Sequence, residues 1–182
     1  MLNQLRPALV LVAFFTLLTG LVYPLVVTGM AQALFPVAAN GSLLEEDGVV
    51  RGSSLIGQNF VREDYFHGRP SAVAYNASTS SGSNLAPSSA ALLEQVRQRA
   101  GAYGGSNVPA DLLTASGSGL DPDISPEAAL VQVPRVAAAR TMPEAKLRAL
   151  IDAHTQERDL GILGARRVNV LALNRALDAG KP

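Results

Sequence analysis

The 182-residue sequence predicts an α+β chain, with one N-terminal transmembrane helix followed by a single compact mixed α/β extracytoplasmic domain. Three observations predict it. No charged side chain occurs from Pro7 to Leu44, and the run "PALVLVAFFTLLTGLVYPLVV" supplies the ~20 apolar residues a helix needs to cross a bilayer. The remainder divides into a loop-rich half and a helical half with marked helix starts. No repeat or low-complexity tract breaks it up, and the length suits about one domain.

Composition narrows the function classes. Fifteen acidic residues balance fifteen basic ones, whereas a nucleic-acid surface normally shows a clustered basic excess. The chain has no cysteine, so disulfides, thiolate–zinc sites and cysteine nucleophiles are excluded. His67 and His154 are the whole imidazole inventory, and neither has a partner at ligand spacing. No metal site is expected.

The first element is a helix over Ala8 to Leu34. Gly20 and Pro24 lie within it, and membrane helices tolerate both. A cleaved signal peptide is the competing reading, with Ala31-Gln32-Ala33 as a small-residue cleavage site. The apolar run exceeds the ~7–15 residues of a signal core and only Arg6 supplies a basic flank, which favours a retained anchor. Arg6 precedes the helix and Glu45, Glu46 and Asp47 follow it, so the positive-inside tendency puts residues 1–7 in the cytoplasm, 8–34 in the membrane and 35–182 outside. In a bacterium that is a single-pass inner-membrane protein with a periplasmic domain. Thr16, Gly20, Pro24, Thr28 and Gln32 recur every four residues, a spacing that lets a partner helix approach closely. The stride drifts about 40° per step, so this stripe wraps around the helix.

Past the membrane, "VVRGSSLIGQNF" reads as two short strands and a turn, broken at Gly52 and Gly57. Residues Tyr75 to Ser89 are too small and polar for an interior element and predict a surface loop, with Tyr75, Leu85 and Pro87 able to pin it. Ser88 or Ser89 then caps a helix that turns Leu92, Leu93 and Val96 toward a core, and Gly101, Gly104 and Gly105 end it. Ser125-Pro126-Glu127 starts the next helix with a hydroxyl cap, a first-turn proline and an acid. Thr141-Met142-Pro143-Glu144 reads as a capping box before an apolar face of Leu147, Leu150 and Ile151, with His154 at its edge. Val168-Asn169-Val170 is β-prone and leads into a helix with Leu173 and Leu177 four apart.

One stretch invites chemistry: "DLLTASGSGLDPDIS", Asp111 to Ser125. It is not a P-loop, because the only lysines are Lys146 and Lys181 and the motif needs one beside its last glycine. Nor is it a nucleophile elbow, since G-x-S-x-G is absent. Asp121, Asp123 and Glu127 lack the register of a calcium loop. The favoured local reading is a turn: its glycines permit positive φ, Asp121 bonds its own downstream backbone, Pro122 fixes the bend and Ser125 caps the helix. Two functional readings stay open. Ser116, Gly117, Ser118 and Gly119 could bind an anion or nucleotide through backbone amides, or Ser116 or Ser118 could be the nucleophile of a freestanding membrane-anchored periplasmic serine hydrolase.

Seven segments in order, "TGLVYPLVVTGMAQALFP", "ANGSL", "GSSLIGQNF", "YFHGRPSAVAYNASTSSGSNL", "DLLTASGSGLDPDIS", "QVPRVAAAR" and "RVNVLALN", resemble the C subunit of the Kdp-type potassium-transporting ATPase. The resemblance runs from about Thr19 to Asp178. It departs at Asp123, where that family commonly has histidine ("DPHIS"). The resemblance implies an accessory, non-catalytic subunit that stabilises assembly and promotes ATP binding as a catalytic chaperone. The implied companions are a potassium-channel-like subunit, a P-type ATP-hydrolysing subunit and a small single-span subunit, and no cofactor is firmly bound. A domain outside the cell cannot touch cytoplasmic ATP, so such promotion would pass through partner helices as coupling between states, with direct contact at Ser116–Gly119 the minority reading. Thr16, Gly20, Pro24 and Thr28 would pack on the channel-like subunit.

Overall fold

The computed structural model describes residues 2–46, 48–105 and 107–180. They form two compact units, Met1–Arg51 and Gly52–Pro182. The mixed helix-and-sheet class expected from the sequence is observed.

The first unit is dominated by α1, Leu5–Leu34, which is long and apolar enough to cross a membrane. It has no buried residue. At Leu18–Val22 the helix widens into a π-turn, and the Tyr23 N–H bonds Leu18 O, five residues back. The cause is one residue on: Pro24 has no N–H and its ring crowds the carbonyl four residues before it. An i→i+5 turn advances fewer degrees per residue than an α turn, so the drift of the Thr16-Gly20-Pro24 stripe is partly undone there. A short α2, Pro36–Ala39, follows, and the two-stranded sheet of β1 (Leu43–Glu46) and β2 (Val49–Ser53) comes next. Asp47, expected among the first charges past the helix, lies outside the described residues.

The second unit packs three helices on a small antiparallel sheet. After a loop-rich stretch come α3 (Ala90–Ala102) and α4 (Ala110–Leu113). Then follow β3 (Asp123–Ile124), α5 (Pro126–Arg140), α6 (Glu144–His154), β4 (Thr155–Gln156), β5 (Arg167–Asn169) and α7 (Val170–Ala179). The strand order is β3-β5-β4, with Ile124 and Thr155 both opposite Val168. Val133, Val136, Leu147, Ile151, Val168 and Leu173 are each 0% exposed and form the centre of the core.

Local chemistry explains the boundaries. Ser125 Oγ accepts the Ala128 N–H at 3.1 Å and Pro126 opens α5 as expected. Asn169 does the same for α7, accepting the Ala172 N–H at 3.0 Å. Pro134 sits inside α5 on its exposed side, where water can serve the carbonyl that loses its donor.

Three expectations need correction. Thr141 caps nothing with its side chain: it takes φ 52° as the left-handed close of α5, where Met142 N–H reaches back to Ala137 O. Pro143 then stands at the N-cap of α6 without a side-chain bond, so the apparent capping box is a helix stop. Leu93 is 50% exposed, because α3 is a surface helix with no buried residue, tied down by Arg99 bonding Leu113 O. Of the two strands expected in Val49–Phe60 only β2 forms; Leu55–Phe60 is irregular, its Gly57 N–H spent on Leu120 O at 2.8 Å.

Candidate functional site

The stretch Asp111–Ser125 is clasped by the loop before it. Ser116 is 3% exposed and its N–H donates to Pro70 O at 3.1 Å. Ser71 Oγ donates to Gly119 O at 2.7 Å while accepting from the N–H groups of Val73 and Tyr75. Ser80 Oγ donates to Ser118 O at 3.0 Å, and Ser118 Oγ accepts the Leu120 N–H. Gly119 has φ +67°, and a Cβ there would lie 2.5 Å from Val73 Cγ2 and 2.7 Å from Ser81 O. That glycine is required twice over, by its dihedral and by the closeness of the loop. Gly117 and Ser118 are exposed, which leaves them the accessible part of the candidate anion-binding run.

Two ion pairs continue the clasp. Arg69 Nη1 meets Asp121 Oδ2 at 3.0 Å, and Asp121 Oδ1 accepts the Asp123 N–H as the turn reading expects. Asp123 lies 3.6 Å from Arg167 and accepts from Asn169. Burial pushes the Asp123 carboxyl above the usual range, with the Asp121 charge adding to it and the Asn169 and Arg167 contacts opposing it. Burial likewise raises the Tyr75 phenol to about 12, and its hydroxyl donates to Arg69 O at 2.6 Å. A cleft of about 520 Å³ opens on one side of Arg69, walled by Phe60, His67, Tyr75, Tyr103 and Leu112. A shallower one of about 710 Å³ carries Asp111, Asp123, Glu127, Arg166 and Arg167. Both could take polar groups, and the second offers charges of either sign.

Among the described residues neither Ser116 nor Ser118 is hydrogen-bonded to a histidine ring. His67 Nε2 is 3.0 Å from Arg62 O and His154 Nδ1 is 3.0 Å from Leu150 O, so each ring bonds a backbone carbonyl. Burial lowers the His67 pKa. Among the described residues no cluster of three or more histidine, aspartate or glutamate side chains could hold a metal ion.

Sequence reasoning missed the polar side chains that hold the loop Glu63–His67. Asn174, 1% exposed, accepts the Phe66 N–H and donates to Phe66 O, both at 2.9 Å. Gln132 does the same for His67 at 2.8 and 3.0 Å. Arg135 reaches Glu63 O and Tyr65 O, and Arg140 reaches Asp64 O. The loop is thus hydrogen-bonded like a strand, with side chains of α5 and α7 in place of a neighbouring backbone. The only hint in the sequence was a polar residue on each apolar helix face. Thr16, Gly20, Pro24 and Thr28 are all on α1 and exposed.

The profile of the family described as "K+-transporting ATPase, c chain" matches residues 5–179. A "Potassium-transporting ATPase KdpC subunit" of Methylorubrum extorquens is 58% identical over 97% of both chains. One from Methylobacterium nodulans is 57% identical over the whole of both. A third, from Caulobacter vibrioides, is 57% identical over all of this chain and 96% of its own.

Proposed function

The chain belongs to the K+-transporting ATPase c-chain family, and from that premise we propose that it is the accessory subunit of a high-affinity ATP-driven potassium uptake complex. One observation carries the reading: the match takes in helix and domain together, residues 5–179, at 57–58% identity to named subunits of such ATPases. In this reading α1 spans the bacterial inner membrane with residues 1–7 in the cytoplasm, and residues 35–182 stand in the periplasm. The partners are the potassium-channel-like subunit, the P-type ATP-hydrolysing subunit and the small single-span subunit.

The chain stabilises their assembly and catalyses nothing itself. It promotes ATP binding by the hydrolysing subunit at a distance, by favouring one conformational state of the complex. A clasped turn whose carbonyls are spent on Ser71, Ser80 and Gly57 supports a structural role for Ser116–Gly119. Anion contact there is limited to the exposed Gly117–Ser118 pair.

Affinity purification of the chain from native membranes tests this, with the three companions expected in fixed proportion; recovery of the chain alone would overturn it. ATP titration of the complex with and without the chain is expected to show a higher KM in its absence. For the hydrolase alternative, a serine-reactive probe is expected to leave Ser116 and Ser118 unlabelled.

A further inference from the structure

At its centre α1 carries a carbonyl, that of Thr19, which neither its i+4 nor its i+5 backbone donor serves. In an α-helix the Thr19 carbonyl takes the N–H of the residue four on, Tyr23. Here the Tyr23 N–H goes to Leu18 O instead. The next donor in an i→i+5 pattern belongs to residue 24, and proline has none. Both helical donors are thus closed to Thr19 O. The Thr19 hydroxyl is turned the other way, onto Phe15 O at 2.6 Å. Gly20, whose carbonyl loses its α donor to the same proline, carries no side chain, and a Cβ there would meet nothing within 4 Å.

Depth makes this acceptor consequential. Thr19 and Gly20 are the middle residues of the 30-residue helix. Wherever ~30 Å of hydrocarbon is laid along it, Thr19 stays within about 8 Å of the midplane. Water is scarce there, and spanning segments avoid unfilled backbone groups for that reason. Acyl chains have no donor, and lipid headgroups are ~15 Å from the midplane. The missing donor has to arrive on another protein segment that is itself at home in the membrane.

We propose that the Leu18–Pro24 bulge is a docking notch for a membrane helix of a partner subunit, which brings a hydroxyl or carboxamide donor to Thr19 O and packs its backbone closely over Gly20. The proposal rests on reading this chain as a subunit embedded beside others. It adds to the small-residue stripe the atom that selects the partner's chemistry.

The test uses the full chain with a 13C=18O label at the Thr19 carbonyl, examined by infrared spectroscopy in lipid bilayers alone and in the assembled complex. The labelled band is expected at the free-carbonyl position in the isolated chain and at the hydrogen-bonded position in the complex. Gly20→Leu is expected to cut recovery of the companions about 10-fold and to leave the band free. Pro24→Ala, which returns an N–H, is expected to give a bonded band with no partner present. A band bonded in the isolated chain at every lipid dilution means water or the helix itself fills the acceptor, one lost on dilution means a second copy does, and a free band in the intact complex means nothing does; each overturns the notch. If the unsubstituted chain recovers no companions, the subunit reading fails with it.

Discussion

In the helix Leu5–Leu34 the leucine, valine and phenylalanine side chains are 39–65% exposed, whereas the core residues of the domain Gly52–Pro182 are at most 8% exposed. Both regions are rich in the same side chains. The helix offers them outward along its whole length, which water penalises and hydrocarbon does not. The domain turns them inward and must then satisfy every polar group caught among them. Gln132 and Asn174 are the outcome: two amides, each 1% exposed, that serve the backbone of a loop more than sixty residues away in sequence.

The same substitution should act oppositely in the two regions. Leu173→Ala is expected to destabilise the domain by about 2–5 kcal/mol through the cavity it leaves, whereas Leu11→Ala, on the helix, should leave the domain's thermal unfolding unchanged. Equal effects in a melting experiment would break the contrast. The next largest effect reverses the pair: Leu21→Arg, near the middle of the helix, is expected to cost insertion of the helix about 3 kcal/mol, read as the fraction of chain resisting alkaline extraction from membranes, with no change in the domain's fold. Asn174→Ala should cost about 2–3 kcal/mol, because it strips partners from both the N–H and the carbonyl of buried Phe66. A loss below 1 kcal/mol in denaturant unfolding would mean that water replaces the amide.

The smallest effect concerns charge. Asp123 has its folded pKa raised, mainly by burial, so only at pH values between the unfolded and the folded pKa does the folded domain hold a proton there that the unfolded chain has released. Its ionised form therefore costs stability at neutral pH, and this cost disappears as pH falls through the raised pKa. Asp123→Asn is accordingly expected to raise the domain's Tm by about 1–3 °C at pH 7, with the advantage shrinking toward pH 4. A constant advantage across that range would assign it to packing instead.

What was legible in the sequence was local or periodic. The apolar run, the Ser125 cap, the Asp121 turn and the Leu147–Ile151 face all depend on residues within a few positions of one another, and all appear as expected. Thr141 misled because a helix stop and a helix start share its residue types, and only the left-handed φ separates them. Leu93 misled because spacing shows that a face is apolar but not whether anything covers it. The π-turn followed from Pro24, yet tolerance of proline in a membrane helix says nothing of where the displaced hydrogen bonds go. The clasp on Ser116–Gly119 was hidden for a different reason: Pro70, Ser71 and Ser80 reach it only through the tertiary fold.

The central claim is that the first region stays in the bilayer and holds the second on the outer side. Because the chain has no cysteine, single cysteines at Asn3 and at exposed Ser88 can be probed in intact spheroplasts with a membrane-impermeant thiol reagent. The account predicts that Ser88→Cys in the full-length chain is labelled at once and Asn3→Cys only after lysis; the reverse pattern, or a labelled fragment beginning near residue 34, would contradict it.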